Sequence, residues 1–263
     1  MQDKDPLSTL AWLVDAGADE AIQETPVNRL RTSIAPQSAA PQSVTPMRTQ
    51  PMPPAAQPVA GDHIGSAMAA AAAATNLAEL KAALESFEGS NLKRMATNTV
   101  FADGVADSRI MLIGEAPGRD EDRIGKPFVG RAGQLLDKML TSTGLDRTRN
   151  VYITNVMNWR PPDNRDPAPE EAAICLPFLR RHIELVNPKA ILLLGAVAAR
   201  HVMGVHDGIM KTRGRWMEYR VGERMVPVLP TLHPAYLLRQ PAHKKLAWRD
   251  LQAFAARLEQ LGS

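Results

Sequence analysis

The run AILLL at residues 190–194, followed at once by Gly195, decides the class of fold that this sequence adopts. Five apolar residues without polar alternation are typical of a strand that is buried on both faces of a parallel sheet. Short β-rich runs at residues 109–113 and 151–154 precede it, and a hairpin pattern around Gly222 follows, with helical periodicity between them. This alternation predicts an α/β domain, a three-layer sandwich with a central, mostly parallel sheet of about four to five strands and helices on both faces.

The composition changes along the chain and predicts three parts. Residues 1–30 have the apolar spacing of a short helix, whereas residues 31–65 are rich in proline, glutamine and alanine. Such a stretch cannot bury enough apolar surface to offset its ordering entropy, so we expect a disordered linker there. We expect residues 66–263 to form the folded domain. A short apolar helix on a disordered tether would suit docking to a protein partner.

Charge and hydropathy narrow the class of function. The formal net charge is +3, which is compatible with a polyanionic partner but is weak evidence on its own. No apolar run approaches the ~20 residues of a membrane span, and residues 1–5 lack the basic opening of a signal peptide. We therefore expect a cytoplasmic protein with no membrane contact. The single cysteine, Cys175, excludes an intramolecular disulfide.

Polar residues follow the predicted strands at their C-terminal ends. Glu115 lies in the stretch GEAPG at residues 114–118, Asn155 follows the second strand, and His233 follows the last. Because ligands of open α/β sheets bind beyond the C-terminal strand ends, we expect these three side chains to converge. A carboxylate, an amide and an imidazole together suit acid–base chemistry or the recognition of a small planar ligand.

Four segments together resemble the family-4 uracil-DNA glycosylases. They are GEAPGRDED at residues 114–122, GKPFVGRAG at 125–133, NVMNWRPPDNR at 155–165 and HPAYLLR at 233–239. One segment alone would be a weak signal, but four in the order and spacing of the family are specific. The resemblance extends over about residues 85–255. It implies a monofunctional enzyme that hydrolyses the N-glycosidic bond of deoxyuridine in DNA, gives free uracil and an abasic site, and starts base excision repair.

The resemblance also implies roles for residues of the pocket. Glu115 would position or activate the attacking water, and His233 would donate a hydrogen bond to uracil O2, in a protonation state that the sequence leaves open. Asn155 would read the uracil edge with one donor and one acceptor. Phe128 would stack on the extruded base. The remaining uracil contacts would come from Ala116 and Glu121.

The last segment resembles a loop that enters the duplex. Leu237 or Leu238 would fill the gap left by the flipped base, as apolar wedges do. Further DNA contacts are expected from Arg160, Arg165, Tyr236, Arg239 and Lys244. The partner would be uracil-containing DNA, single- or double-stranded, and we expect the protein to act as a monomer.

The sequence departs from the family at the ligands of its iron–sulfur cluster. Family-4 members hold a four-iron cluster through four cysteines, and the matching positions here are Phe87, Ser90, Trp159 and Cys175. One thiolate cannot hold such a cluster, and phenylalanine and tryptophan are not ligands. We therefore expect no cluster, no other metal and no cofactor, with the aromatic rings packed near Cys175 in the vacated volume.

Two other functions compete with this interpretation. A non-catalytic binder of damaged or abasic DNA would share the fold, the basic surface and the wedge, but the presence of Glu115, Asn155 and His233 argues against it. An unrelated nucleotide-binding hydrolase would need a phosphate-binding loop, and the pattern GxxxxGK[ST] does not occur.

Overall fold

The computed structural model describes residues 60–262, with side chains from His63 onward. The predicted N-terminal helical segment and most of the predicted linker lie outside this range. The first described helix begins at Ala60, inside the segment predicted as linker. The alanine-rich sequence that follows explains this start, because alanine has the highest intrinsic helix propensity.

The centre of the domain is a six-stranded sheet with the strand order β1-β3-β2-β4-β6-β5. The strands are β1 (Asp103–Gly104), β2 (Ile110–Gly114), β3 (Tyr152–Asn155), β4 (Ala190–Leu194), β5 (Met217–Val221) and β6 (Arg224–Thr231). The four inner strands are parallel, and the two edge strands pair antiparallel to their neighbours. The predicted fold class is confirmed. The expected number of strands was too low because β1 has two residues and no apolar pattern.

Ten α-helices surround the sheet in the part of the chain that the structure describes. They are α1 (Ala60–Ala73), α2 (Leu77–Ser86), α3 (Asn91–Met95), α4 (Arg119–Ile124), α5 (Arg131–Thr141), α6 (Pro169–Val186), α7 (Ala196–Met203), α8 (Ile209–Thr212), α9 (Pro234–Arg239) and α10 (Lys244–Gln260). Short 3-10 helices occupy Ala106–Ser108, Pro162–Asn164 and Pro241–His243. None of the helices in this range combines the length and the apolar character that crossing a membrane requires.

The inner strands bury side chains on both faces, which explains their unbroken apolar sequences. In β2, Met111 and Ile113 contribute to one apolar cluster with α1, α2, α6 and α7, whereas Ile110 and Leu112 contribute to another with α5 and α10. Each fully buried aliphatic side chain contributes about 1.5–3 kcal/mol relative to exposure. The sheet is therefore fixed between two helical layers, and the loops that leave its C-terminal edge start from a rigid base.

Candidate active site

A cavity of about 400 Å³ opens beyond the C-terminal ends of the inner strands. The residues predicted from the sequence that line it are Glu115, Ala116, Glu121, Phe128, Asn155, Arg165, His233, Tyr236 and Arg239. The carboxylate, the amide and the imidazole thus meet in one space, as expected for the edge of a parallel sheet. Pro161, Asn164 and Asp166 line the same cavity and were not identified from the sequence.

Asn155 lines this cavity and carries a buried acceptor without a partner. It is the last residue of β3, it is almost fully buried, and its Oδ1 has no hydrogen-bond partner within residues 60–262. Gly114, which pairs with Asn155 across β2 and β3, leaves the space for this amide, because a Cβ at residue 114 would lie 2.4 Å from Oδ1. A buried polar atom without a partner costs about 1–3 kcal/mol, so this oxygen is poised for a donor that a ligand supplies.

Phe128 forms an apolar wall of the cavity from a strained backbone. Its φ is 53°, in the left-handed region that residues other than glycine rarely adopt. The residue is 5% exposed, and the centroid of its ring lies 5.5 Å from that of the His233 imidazole. The following helix approaches so closely that a Cβ at Gly133 would lie 1.8 Å from the Phe128 carbonyl oxygen. Glycine is therefore required at residue 133.

Two side chains hold the Phe128 loop in this conformation. Arg147 donates hydrogen bonds to the carbonyl oxygens of residues 127 and 128, at 3.1 and 2.7 Å. Glu121 accepts from the amides of residues 129 and 130, both at 2.9 Å. The other Glu121 oxygen accepts from Gly118 at 3.1 Å. Glu121, predicted to contact uracil, thus holds the loop that surrounds the cavity, and Arg147, which no sequence motif indicates, holds its other side.

The protonation state of His233, which the sequence left open, follows from its surroundings. Burial, together with a smaller effect of the nearby Arg239 charge, lowers its pKa to about 4. The imidazole is therefore neutral at physiological pH. Its Nδ1 accepts a hydrogen bond from the Ala235 amide at 3.2 Å, so the proton is on Nε2. Gly195 permits this position, because a Cβ at residue 195 would lie 3.0 Å from the Cβ of His233.

Glu115 is a partly buried carboxylate at the end of β2. Burial raises its pKa above 4.5, and the Asp166 charge raises it too, whereas Arg200 and Arg239 act in the opposite direction. Asp166 and Arg200 had no signal in the sequence, because their relation to Glu115 depends on loops and helices from distant parts of the chain. The weakly solvated carboxylate can hold a water molecule and take a proton from it.

Of the two leucines predicted as a wedge, only Leu238 is available to DNA. Leu237 is fully buried in a small apolar cluster with Leu232 and Ala247, whereas Leu238 is 39% exposed. Both belong to α9, and consecutive helical residues point in different directions, so one of them must turn inward. The prediction that Leu237 contacts DNA is therefore not supported by the structure.

The polar side chains predicted to contact DNA differ in their partners within the protein and in their exposure. Arg165 lines the cavity but forms a bidentate ion pair with Glu171, at 2.6 and 2.8 Å. Arg160 lies outside the cavity lining and donates to the Asn164 side chain at 2.7 Å. The Tyr236 hydroxyl is 2.7 Å from His243 Nδ1, and its ring stacks on that imidazole. The side chains of Arg239 and Lys244 are exposed.

The four positions that correspond to cluster ligands form part of a packed core and do not fit an iron–sulfur cluster. Phe87 packs edge-on against Phe178 with ring centroids 5.3 Å apart, and Trp159 is fully buried with its indole N–H bonded to a threonine hydroxyl. Phe87, Trp159 and Cys175 belong to one apolar cluster. Burial raises the pKa of the Cys175 thiol to about 12, so it is not a thiolate. Across residues 60–262, no group of three or more His, Cys, Asp or Glu side chains is placed to hold a metal ion.

Fold and cavity together define an α/β protein with a polar cavity beyond the C-terminal edge of a parallel sheet. Comparison with known proteins identifies the family to which the chain belongs. The model of the uracil DNA glycosylase superfamily matches residues 101–252, which contain the entire cavity. The chain therefore belongs to the uracil-DNA glycosylase superfamily.

Type-4 and type-5 uracil-DNA glycosylases are among the proteins to which this chain is similar. The type-4 uracil-DNA glycosylase of Thermotoga maritima is 44% identical over 159 residues, which are 59% of this chain and 81% of that protein. The type-4 enzyme of Sulfurisphaera tokodaii is 38% identical over 182 residues, 67% of this chain and 82% of that protein. A type-5 uracil-DNA glycosylase of Pyrobaculum aerophilum is 35% identical over 116 residues, 39% of this chain and 51% of that protein.

Proposed function

We propose that this protein is a uracil-DNA glycosylase that hydrolyses the bond between uracil and deoxyribose in DNA. The observation that carries the proposal is the buried, unpaired Oδ1 of Asn155, a residue that lines one cavity together with a carboxylate and a neutral imidazole. The relatives named as type-4 uracil-DNA glycosylases support the same activity.

Recognition of uracil would depend on the direction of its hydrogen bonds. Uracil carries a hydrogen on N3, which would donate to Asn155 Oδ1, and O4, which would accept from Asn155 Nδ2. Cytosine has a lone pair at N3 and an amino group at position 4, so the same amide would oppose it at both atoms. The Phe128 ring would stack on the extruded base. Because Gly114 has no Cβ, it leaves room for both the Asn155 amide and the Phe128 ring.

The chemical step would divide two developing charges between two side chains. As the bond between C1′ and N1 breaks, the base takes the electron pair, and negative charge spreads to O2, where Nε2–H of His233 would donate a hydrogen bond. The sugar becomes cationic, and the Glu115 carboxylate would stabilise it. The water oxygen then bonds to C1′ while one of its protons passes to Glu115. A neutral His233 fits this step, because its role is to stabilise the anion with a hydrogen bond rather than to donate a proton.

The direct test measures free uracil from the full-length protein on oligonucleotides that contain one deoxyuridine. We expect release from single- and double-stranded DNA, with an abasic site left behind, and a large loss in Glu115→Gln, which keeps the size of the side chain. Binding to an oligonucleotide with a stable abasic-site analogue is the control for each variant. Binding without release by the wild-type protein would favour the non-catalytic binder. The absence of both binding and release would refute the proposal.

We propose further that the enzyme works without an iron–sulfur cluster. This rests on the aromatic side chains and the un-ionised thiol at the positions that correspond to the ligands. Protein purified under anaerobic conditions should contain no stoichiometric iron and should show no visible absorption band. Iron at about four atoms per chain would refute this part of the proposal. The proposal that the protein releases uracil would still stand.

We also propose that the enzyme acts as a monomer in the cytoplasm on uracil-containing DNA, and that residues 1–30 bind a protein partner. One chain supplies the carboxylate, the amide and the imidazole that the proposed reaction requires, so the proposal needs no residue from a second copy. Deletion of residues 1–59, which lie outside the described range, should leave uracil release from oligonucleotides unchanged. A loss of release would instead give these residues a part in catalysis.

A further inference from the structure

A buried carboxylate lies behind the strand that presents His233. Asp250, on α10, is 2% exposed and accepts a hydrogen bond at Oδ2 from the Thr231 hydroxyl at 2.7 Å. Arg213 donates to the same oxygen at 2.9 Å and to Oδ1 through its other nitrogen. The arginine also donates to the Leu246 carbonyl at 2.9 Å. The pair of Asp250 and Arg213 thus joins the end of β6, the segment after α8 and the start of α10.

The backbone around this carboxylate is closely fitted. Gly214 has a φ of 70°, and a Cβ there would lie 2.6 Å from Asp250 Oδ1. The Gly214 amide donates to the Pro230 carbonyl at 2.8 Å, and the Gly195 amide donates to the Thr231 carbonyl at 2.9 Å. The end of β6 is therefore held by two backbone hydrogen bonds and by the Thr231 side chain.

The position of the His233 ring depends on this strand end. Its hydrogen bond to a described residue goes to Ala235, which belongs to the same turn and moves with it. The chain leaves the sheet at Thr231 and reaches His233 two residues later. A displacement of the strand end would therefore be transferred to Nε2, the atom that would face uracil O2.

We propose that Asp250, paired with Arg213, is a positioning residue that fixes Thr231 and thereby holds His233 in the geometry of uracil excision. The inference rests on the proposed function. A buried ion pair is weak evidence for stability, because the cost of desolvating both charges offsets much of their attraction. The ion pair instead fixes the orientation of the carboxylate. Arg213 binds the carboxylate on one side, and the carboxylate accepts from the Thr231 hydroxyl at the strand end on the other.

The test uses the full-length protein with two substitutions in the network. Thr231→Val removes one hydroxyl at nearly constant size, and Asp250→Asn removes the charge. Leu258→Ala is the control, because Leu258 is a buried residue near the opposite end of α10. We expect Thr231→Val to lower kcat for uracil release about tenfold with KM unchanged, and Asp250→Asn to lower it further, since small misplacements of a catalytic group have large effects on rate. Leu258→Ala should lower Tm and leave kcat within about twofold of wild type.

A second measurement is independent of turnover. Nitrogen chemical shifts of the His233 ring should report a single Nε2–H tautomer in the wild-type protein and in Leu258→Ala. In Thr231→Val we expect the same tautomer with shifted or broadened ring signals, because the hydrogen bond to Ala235 moves with the turn while the ring moves relative to Phe128. If both network variants keep wild-type kcat and wild-type chemical shifts of the His233 ring, the inference is overturned. If the wild-type protein releases no uracil, the proposed function fails, and the chemical shifts alone decide whether the network holds the histidine.

Discussion

Replacement of Gly114 by alanine is the sharpest perturbation of the cavity that the structure offers. The new Cβ would lie 2.4 Å from Asn155 Oδ1 and 2.5 and 2.6 Å from two carbons of the Phe128 ring. Ordinary contacts between such atoms are about 3.5 Å, so the amide and the ring would each have to retreat by about 1 Å. Both groups are buried and tightly packed, and neither is the free end of a flexible side chain.

A displacement of this size should affect catalysis much more than folding. A misplacement of about 1 Å in an active site costs on the order of 10²-fold in rate. Overpacking by one methyl group costs about 1–3 kcal/mol, against a total stability of about 5–15 kcal/mol for a domain of ordinary size. Gly114→Ala should therefore fold, bind DNA and release uracil roughly 100-fold more slowly than the wild-type protein.

The assay is single-turnover release of uracil, with Tm measured on the same samples. Gly208→Ala is the matched control, because a Cβ at Gly208 would have no atom within 4 Å and the backbone there has an ordinary φ. We expect the control to release uracil at the wild-type rate. Wild-type activity in Gly114→Ala would refute the placement of Asn155 and Phe128 around the base.

Three further predictions concern the pocket and its rim. Glu115 must be ionised to take a proton, and its pKa lies above 4.5, so uracil release should fall as the pH drops through that raised pKa. His233 becomes protonated only near pH 4, so a pH profile whose acid limb is moved by His233→Asn would contradict the assignment. Asn155→Asp removes the donor to O4 and adds an acceptor for the cytosine amino group. In competition assays, the rate of uracil release divided by that of cytosine release should therefore be smaller than in the wild-type protein. An unchanged ratio would argue against recognition by this amide. Leu238→Ala should slow release from duplex DNA more than from single strands, whereas Leu237→Ala should lower Tm by removing buried volume; equal effects of Leu238→Ala on both substrates would exclude it as a wedge.

The sequence predicts those parts of the fold that depend on local pattern. The β4 run is apolar throughout because both faces of the strand are buried. Glu115, Asn155 and His233 converge at one edge because each follows or ends a parallel strand at its C-terminal end. Strand β1 escapes prediction because two residues carry no periodicity, and its pairing with β3 depends on tertiary contacts.

The supports of the site are harder to predict than the residues that face the cavity. Arg147 acts on the Phe128 loop from 19 residues away along the chain, and Asp250 acts on Thr231 across the same interval. Residues this far apart along the chain form no recognisable sequence motif, because their contacts form only after α5 and α10 have packed on the sheet. The choice between Leu237 and Leu238 also required the structure, since only the packed position of α9 determines which leucine turns inward.

The most direct measurement is a crystal structure of the protein with uracil bound, at a resolution that orients the base. We expect N3 within hydrogen-bond distance of Asn155 Oδ1, O2 within hydrogen-bond distance of His233 Nε2, and the ring stacked on Phe128. Uracil bound outside the cavity, or bound inside with the Asn155 amide turned away from N3, would contradict the account.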